Sequence, residues 1–98
     1  MFNIDHFRPG IEAVCSDLSL KRLDIVGSAA REDFDLASDV DVLVTFSGDE
    51  GLLDRYFDLK ERLEAIFELP VDVIEERALK NPYLKRSFEK DRILIYGS

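Results

Sequence analysis

The sequence predicts an α/β (α+β) chain, a small mixed β-sheet with helices packed on one face. Three observations predict it. Val40 to Phe46 is a run rich in β-branched residues, which favours a strand. Behind it, Leu52, Tyr56, Leu59, Leu63 and Ile66 form an apolar stripe of helical period. That helix is long enough to cross over to a parallel strand. Pro70 and Asn81-Pro82 then divide the rest into strand, helix and strand.

Each element has its own signal. Ile11, Val14, Cys15 and Leu18 recur at spacings of three and four, which predicts a short first helix from Pro9 to Leu18. Pro9 suits the first helical position, because its missing N–H would have no partner there. Leu23 to Val26 reads as a strand ending at Gly27. In the strand Val40–Phe46, Val40, Val42, Val44 and Phe46 point one way, and Asp39, Asp41, Leu43 and Thr45 the other. Ser47-Gly48-Asp49-Glu50 has the Ser-x-x-Glu form of a capping box for the long helix. Tyr56, Phe57 and Phe67 fall on helical spacing and read as core. Val71 to Ile74 is a short strand. Asn81 is the expected N-cap of a helix with Pro82 in its first turn. Arg92 to Tyr96 closes the chain as an edge strand.

Composition narrows the function. The 98 residues fit one domain, 1–98, with room for one modest core. With 13 Lys and Arg against 21 Asp and Glu, the net charge is -8, so no direct binding to nucleic acid is expected. Lys80, Lys85, Arg86 and Lys90 form a local exception, flanked by Tyr83 and Phe88, and read as a solvated amphipathic helix. The single cysteine, Cys15, reads as core and suits a reducing compartment. His6 has no companion ligands and reads as a surface or packing residue. The N-terminus lacks a signal-peptide pattern, and the longest apolar run, Ile93 to Tyr96, is far short of the ~20 residues that span a bilayer. A cytoplasmic protein is expected, with no membrane partner.

The chemistry concentrates in Gly27-Ser28 and Asp39-Val40-Asp41. Residues two apart on a strand share a face, so Asp39 and Asp41 can converge on a hard cation. Asp72, set between Val71 and Val73, adds a third carboxylate where an unpaired buried charge would be costly. Each half has a plainer explanation. Asp39 suits a strand entry, Asp41 and Asp72 could face water, and Gly-Ser is a common turn. Together they describe a nucleotide site, with a turn that grips phosphate through backbone N–H groups and acids that hold the metal neutralising it. Arg31 could pair with a phosphate or a partner, or equally with Glu32, Asp33 or Asp35.

Gly27-Ser28, ten residues, then Asp39-x-Asp41 resembles the signature of the DNA polymerase β-like nucleotidyltransferase superfamily. The fuller strings Gly27-Ser28-Ala29-Ala30-Arg31 and Ser38-Asp39-Val40-Asp41-Val42-Leu43-Val44 resemble its minimal nucleotidyltransferase (MNT) branch. That branch typically supplies antitoxins paired with HEPN-domain ribonuclease toxins. The resemblance implies a polymerase β-like fold. It implies that Gly27, Ser28 and Arg31 bind the nucleotide, with ATP as donor. It implies that Asp39, Asp41 and Asp72 hold Mg2+, and that Asp72 activates the acceptor hydroxyl. The implied acceptor is a tyrosine on the toxin and the transferred group is AMP. Where the family usually has Gly after Ala30-Arg31, this chain has Glu32-Asp33, which places negative charge and a Cβ near the turn. A different function stays open beside this one, that of a non-catalytic antitoxin masking its toxin with a degenerate nucleotide site. The nucleotide, the acceptor and any oligomer are left open by the sequence.

Overall fold

The computed structural model describes residues 3–31 and 39–97. Its elements run α1 (Ile4–Asp17), β1 (Leu20–Val26), a 3-10 turn (Gly27–Ala30), β2 (Val40–Phe46), α2 (Leu52–Phe67), β3 (Val71–Glu75), a second 3-10 turn (Glu76–Ala78), α3 (Pro82–Asp91) and β4 (Ile93–Gly97). The sheet order is β3-β2-β1-β4. β1 pairs antiparallel with β2 and β4, and β2 pairs parallel with β3. The sheet is therefore mixed, α2 is the crossover, and β4 lies at an edge, all as expected.

One face of the sheet carries the main core. Val40, Val42, Val44 and Phe46 of β2 meet Leu23 and Ile25 of β1, Ile11 and Cys15 of α1, and Leu59, Leu63 and Phe67 of α2. Alternation places Asp41 and Leu43 on the opposite face. There Leu43 is nearly fully buried and shares a shallow cleft with Leu79, Lys85 and Phe88. So α1 and α2 cover one face, but α3 departs from the expected one-sided packing and lies against part of the other, where it helps bury Leu43.

Three local expectations change. α1 begins at Ile4, not Pro9, and Pro9 lies inside it. Ile4 and Phe7 pack against the core, which continues the apolar stripe through the proline. The Ser47–Glu50 capping box does not form. α2 starts at Leu52 behind Gly51, whose φ is +59°, and no side chain caps it. Arg55 takes over, donating to the carbonyls of Leu18 (2.9 Å), Ser19 (2.7 Å), Ser47 (2.8 Å) and Glu50 (3.0 Å). Phe57 faces solvent, whereas Phe67 is buried and Tyr56 half-buried. The Asn81 cap forms as expected, its Oδ1 accepting from the N–H groups of Tyr83 (2.9 Å) and Leu84 (3.3 Å).

The β3 edge is closed at its first residue. The Val71 N–H donates to Glu64 Oε2 at 2.9 Å, and Lys60 Nζ donates to the Val71 carbonyl. Lys60 and Glu64 are themselves paired at 3.3 Å. Beneath the second face, Asp24 is fully buried and held by two guanidiniums, Arg22 at 2.7 Å and Arg92 at 3.0 Å. Burial pushes the Asp24 carboxyl up, but hydrogen bonds from Arg22 and Arg92 outweigh it and hold it below its ordinary value. Arg92 also reaches Glu76 and Glu89, so one side chain ties β1 to the second 3-10 turn and to α3. No described helix is long and apolar enough to cross a membrane.

Candidate nucleotide site

The site forms where β1 ends and β2 begins. Val26 pairs with Asp41, and Asp41 pairs in parallel register with Asp72. Directly paired residues on neighbouring strands share a face and lie roughly 5 Å apart. The parallel pairing therefore sets Asp41 and Asp72 side by side, on the face opposite the main core. Asp39, one residue before β2, is exposed.

Gly27 fits this place for two reasons. Its φ is +69°, where a side chain is strained. A Cβ there would also lie 2.6 Å from Asp41 Oδ2, so the carboxylate occupies the space a side chain would need. Ser28 follows within the turn, which is closed by a hydrogen bond from the Arg31 N–H to the Ser28 carbonyl at 3.1 Å. No side chain caps the start of the turn.

The electrostatics match this crowding. Partial burial raises the Asp41 carboxyl above its ordinary value, and the charges of Asp72 and Asp39 raise it further. Arg31 acts in the opposite sense. Arg31, expected at the nucleotide, is thus a cation standing near the acids. Its guanidinium pairs with Asp91 of α3 at 3.4 Å, a partner sixty residues away that no local pattern reveals. Glu32, Asp33 and Asp35, the partners expected from sequence, lie outside the described residues, as does Ser38.

Among the described residues, no three His, Cys, Asp or Glu side chains are grouped so as to hold one metal ion. Asp39, Asp41 and Asp72 are thus near one another without forming a finished three-ligand cage. Two carboxylates side by side still fit Mg2+, which commonly takes one or two of them and fills its shell with water and substrate phosphates. Cys15 is buried in the core with its thiol pushed up to about 12 by burial and the Glu12 charge, so it is inert. His6 is exposed beside Phe7.

The sheet order and its helices match the polymerase β-like nucleotidyltransferase fold. The chain belongs to the nucleotidyltransferase domain family, whose model matches residues 10–95, and it is an enzyme of that class. A candidate protein adenylyltransferase from Methanocaldococcus jannaschii is 37% identical over 76 residues, covering 78% of this chain and 76% of that one. The protein adenylyltransferase MntA of Thermococcus cleftensis is 35% identical over 66 residues, 67% of this chain and 66% of its own. A solved candidate minimal nucleotidyltransferase superposes with a TM-score of 0.76 at 30% identity, covering 92% of this chain and 90% of its own. The fold is shared with a toxin–antitoxin complex solved with AMP-PNP, at a TM-score of 0.72 and 17% identity over 93% of this chain and 73% of that one. It is shared too with a complex of an MNT antitoxin and a tri-AMPylated HEPN toxin from Shewanella oneidensis, at 0.67 and 15% over 96% and 72%.

Proposed function

We propose that this chain is an Mg2+-dependent adenylyltransferase antitoxin that moves AMP from ATP to a tyrosine hydroxyl of a HEPN-domain toxin and so neutralises it. The observation that carries the reading is Asp41, seated against the Gly27 turn and beside Asp72 on one open face. Relatives named as protein adenylyltransferases support the transferred group and the class of acceptor.

In this reading Ser28 and the backbone of the turn bind phosphate, with Arg31 exchanging Asp91 for a phosphate oxygen. Asp41 and Asp72, with Asp39 nearby, are the residues that would hold Mg2+, which when bound would offset the charge of the phosphates. The acceptor oxygen attacks the α-phosphorus, the bond from it to the bridging oxygen breaks, and pyrophosphate leaves. Asp72, nearest the β3 edge, takes the hydroxyl proton. Positioning and charge neutralisation supply most of the rate in such a transfer.

The test is transfer of label from α-phosphate-labelled ATP to a co-purified HEPN toxin, with wild type beside the Asp39→Asn, Asp41→Asn double variant. Label on the toxin with wild type alone, together with loss of its ribonuclease activity, is the expected result. Neutralisation retained by the double variant without label would overturn the reading in favour of masking, the alternative to which Glu32-Asp33 points.

A further inference from the structure

Most cations of this chain are engaged. Arg8, Arg22, Arg31, Lys60, Arg62, Arg77 and Arg92 are in ion pairs, and Arg55 is bound to four carbonyls. Lys21 of β1 and Lys80, Lys85, Arg86 and Lys90 make no ion pair among the described residues, and all five are exposed. Residues 77–90 carry a net charge of +4, so the rest of the chain carries -12. α3 itself buries no residue. Its cleft side is the side of Lys85, Phe88 and Glu89. Tyr83, Arg86 and Lys90 recur at three and four residues along the helix and share its outer side. Tyr83 is 77% exposed.

From this charge pattern we infer that the outer side of α3 is the docking surface for an acidic segment of the acceptor protein. An exposed tyrosine beside arginine is the residue pairing that anchors protein interfaces. Two unpaired cations, Arg86 and Lys90, beside Tyr83 on the outer side of a helix in an otherwise acidic chain call for a partner that is acidic here and not elsewhere. A protein can meet that requirement. A nucleic acid is negative along its whole length and meets the surrounding charge of -12 with repulsion. The location is apt, because α3 packs against the Gly27–Ala30 turn and Asp91 at its end pairs with Arg31. A segment on the outer side of α3 lies about one helix diameter, roughly 10 Å, from that turn. The inference rests on the proposed protein acceptor, but its test does not need catalysis.

The test is binding of a fluorescent Glu/Tyr copolymer peptide followed by anisotropy. Wild type, Arg86→Glu with Lys90→Glu, Tyr83→Ala and, as a control on β1, Lys21→Glu are compared at two salt concentrations. The expected result is a Kd weakened at least 10-fold by the α3 reversal and several-fold by Tyr83→Ala, and changed less than 2-fold by Lys21→Glu. Equal weakening by Lys21→Glu, or no binding of the peptide by wild type, overturns the inference. Tighter binding of a single-stranded oligouridine than of the peptide, sensitive to the same α3 variants, overturns it in favour of nucleic acid. Loss of AMP transfer with peptide binding intact would count against the proposed catalytic function and leave this inference standing.

Discussion

Replacing Gly27 by alanine should cost about twice what the same change costs at Gly48, and the excess should vanish when Asp41 is shortened. Both glycines have nearly the same backbone angle, φ +69° and +71°. An alanine in that region costs about 1 kcal/mol at either place. The gain from a stiffer unfolded chain is the same at both and cancels in the comparison. The surroundings differ. At Gly48 a Cβ meets nothing within 4 Å, whereas at Gly27 it falls 2.6 Å from Asp41 Oδ2. That oxygen must swing away, leaving its rotamer at a cost of about 1 kcal/mol. The expected totals are about 2 kcal/mol at Gly27 and about 1 kcal/mol at Gly48, or roughly 10 °C and 5 °C in Tm for a chain of this size. Thermal and urea unfolding of Gly27→Ala, Gly48→Ala, Asp41→Ala and the Gly27→Ala, Asp41→Ala pair would measure the coupling. Transfer activity should fall in Gly27→Ala, because Asp41 has moved, and persist in Gly48→Ala. Equal costs at the two glycines, or a Gly27→Ala cost unchanged in the Asp41→Ala background, would refute the account of the turn.

Further outcomes follow from the charges. Asp41→Asn should stabilise the metal-free protein by under ~1 kcal/mol, the size of one carboxylate repulsion in a mostly solvated setting, while abolishing transfer; melting in chelator that shows the variant less stable than wild type would contradict it. The pH dependence has a definite sign. Because the folded Asp41 carboxyl lies above its ordinary 3.8, its destabilising effect is full at neutral pH, shrinks as pH falls through the folded value and is gone below 3.8, so the Tm advantage of Asp41→Asn should disappear on that path. Asp24 behaves oppositely. Its carboxyl lies below 3.8, so its stabilising effect is present above that pH and is lost as pH falls further. Asp24→Ala should cost roughly 2 kcal/mol at neutral pH, since it takes from Arg22 its carboxylate and from Arg92 one of three, and calorimetry would show a Tm lower by about 10 °C.

Much of this was legible in the sequence where the signal is local. The alternation in Val40–Phe46 assigned each residue to its side of the sheet, and Asn81-Pro82 marked the start of α3 because cap and proline act within one turn. The candidate acids were legible from their spacing on β2 and, for Asp72, from its oddness between valines. What escaped depends on distant partners. Pro9 reads as a helix start, yet Ile4 and Phe7 gain enough core contact to carry α1 through it. Ser47 and Glu50 suit a capping box, but Arg55 draws both of their carbonyls to its guanidinium, and Gly51 takes the N-cap instead. Asp24 finds Arg92 sixty-eight residues on, and Arg31 finds Asp91 sixty residues on. The adjacency of Asp41 and Asp72 exists only once α2 has carried the chain over into a parallel strand.

The bridge from Lys60 and Glu64 to Val71 bears on crowding among copies of this chain. A sheet that ends in an edge strand offers its outward N–H and C=O groups to any other strand, and such an offer seeds self-association. Here the first outward pair on β3 is already occupied by a donor and an acceptor from the crossover helix. A strand arriving from a second molecule would have to displace a charged pair before making its first bond. The seal also lies one residue from Asp72, so the rim most exposed to an incoming acceptor is guarded against other copies of the enzyme itself.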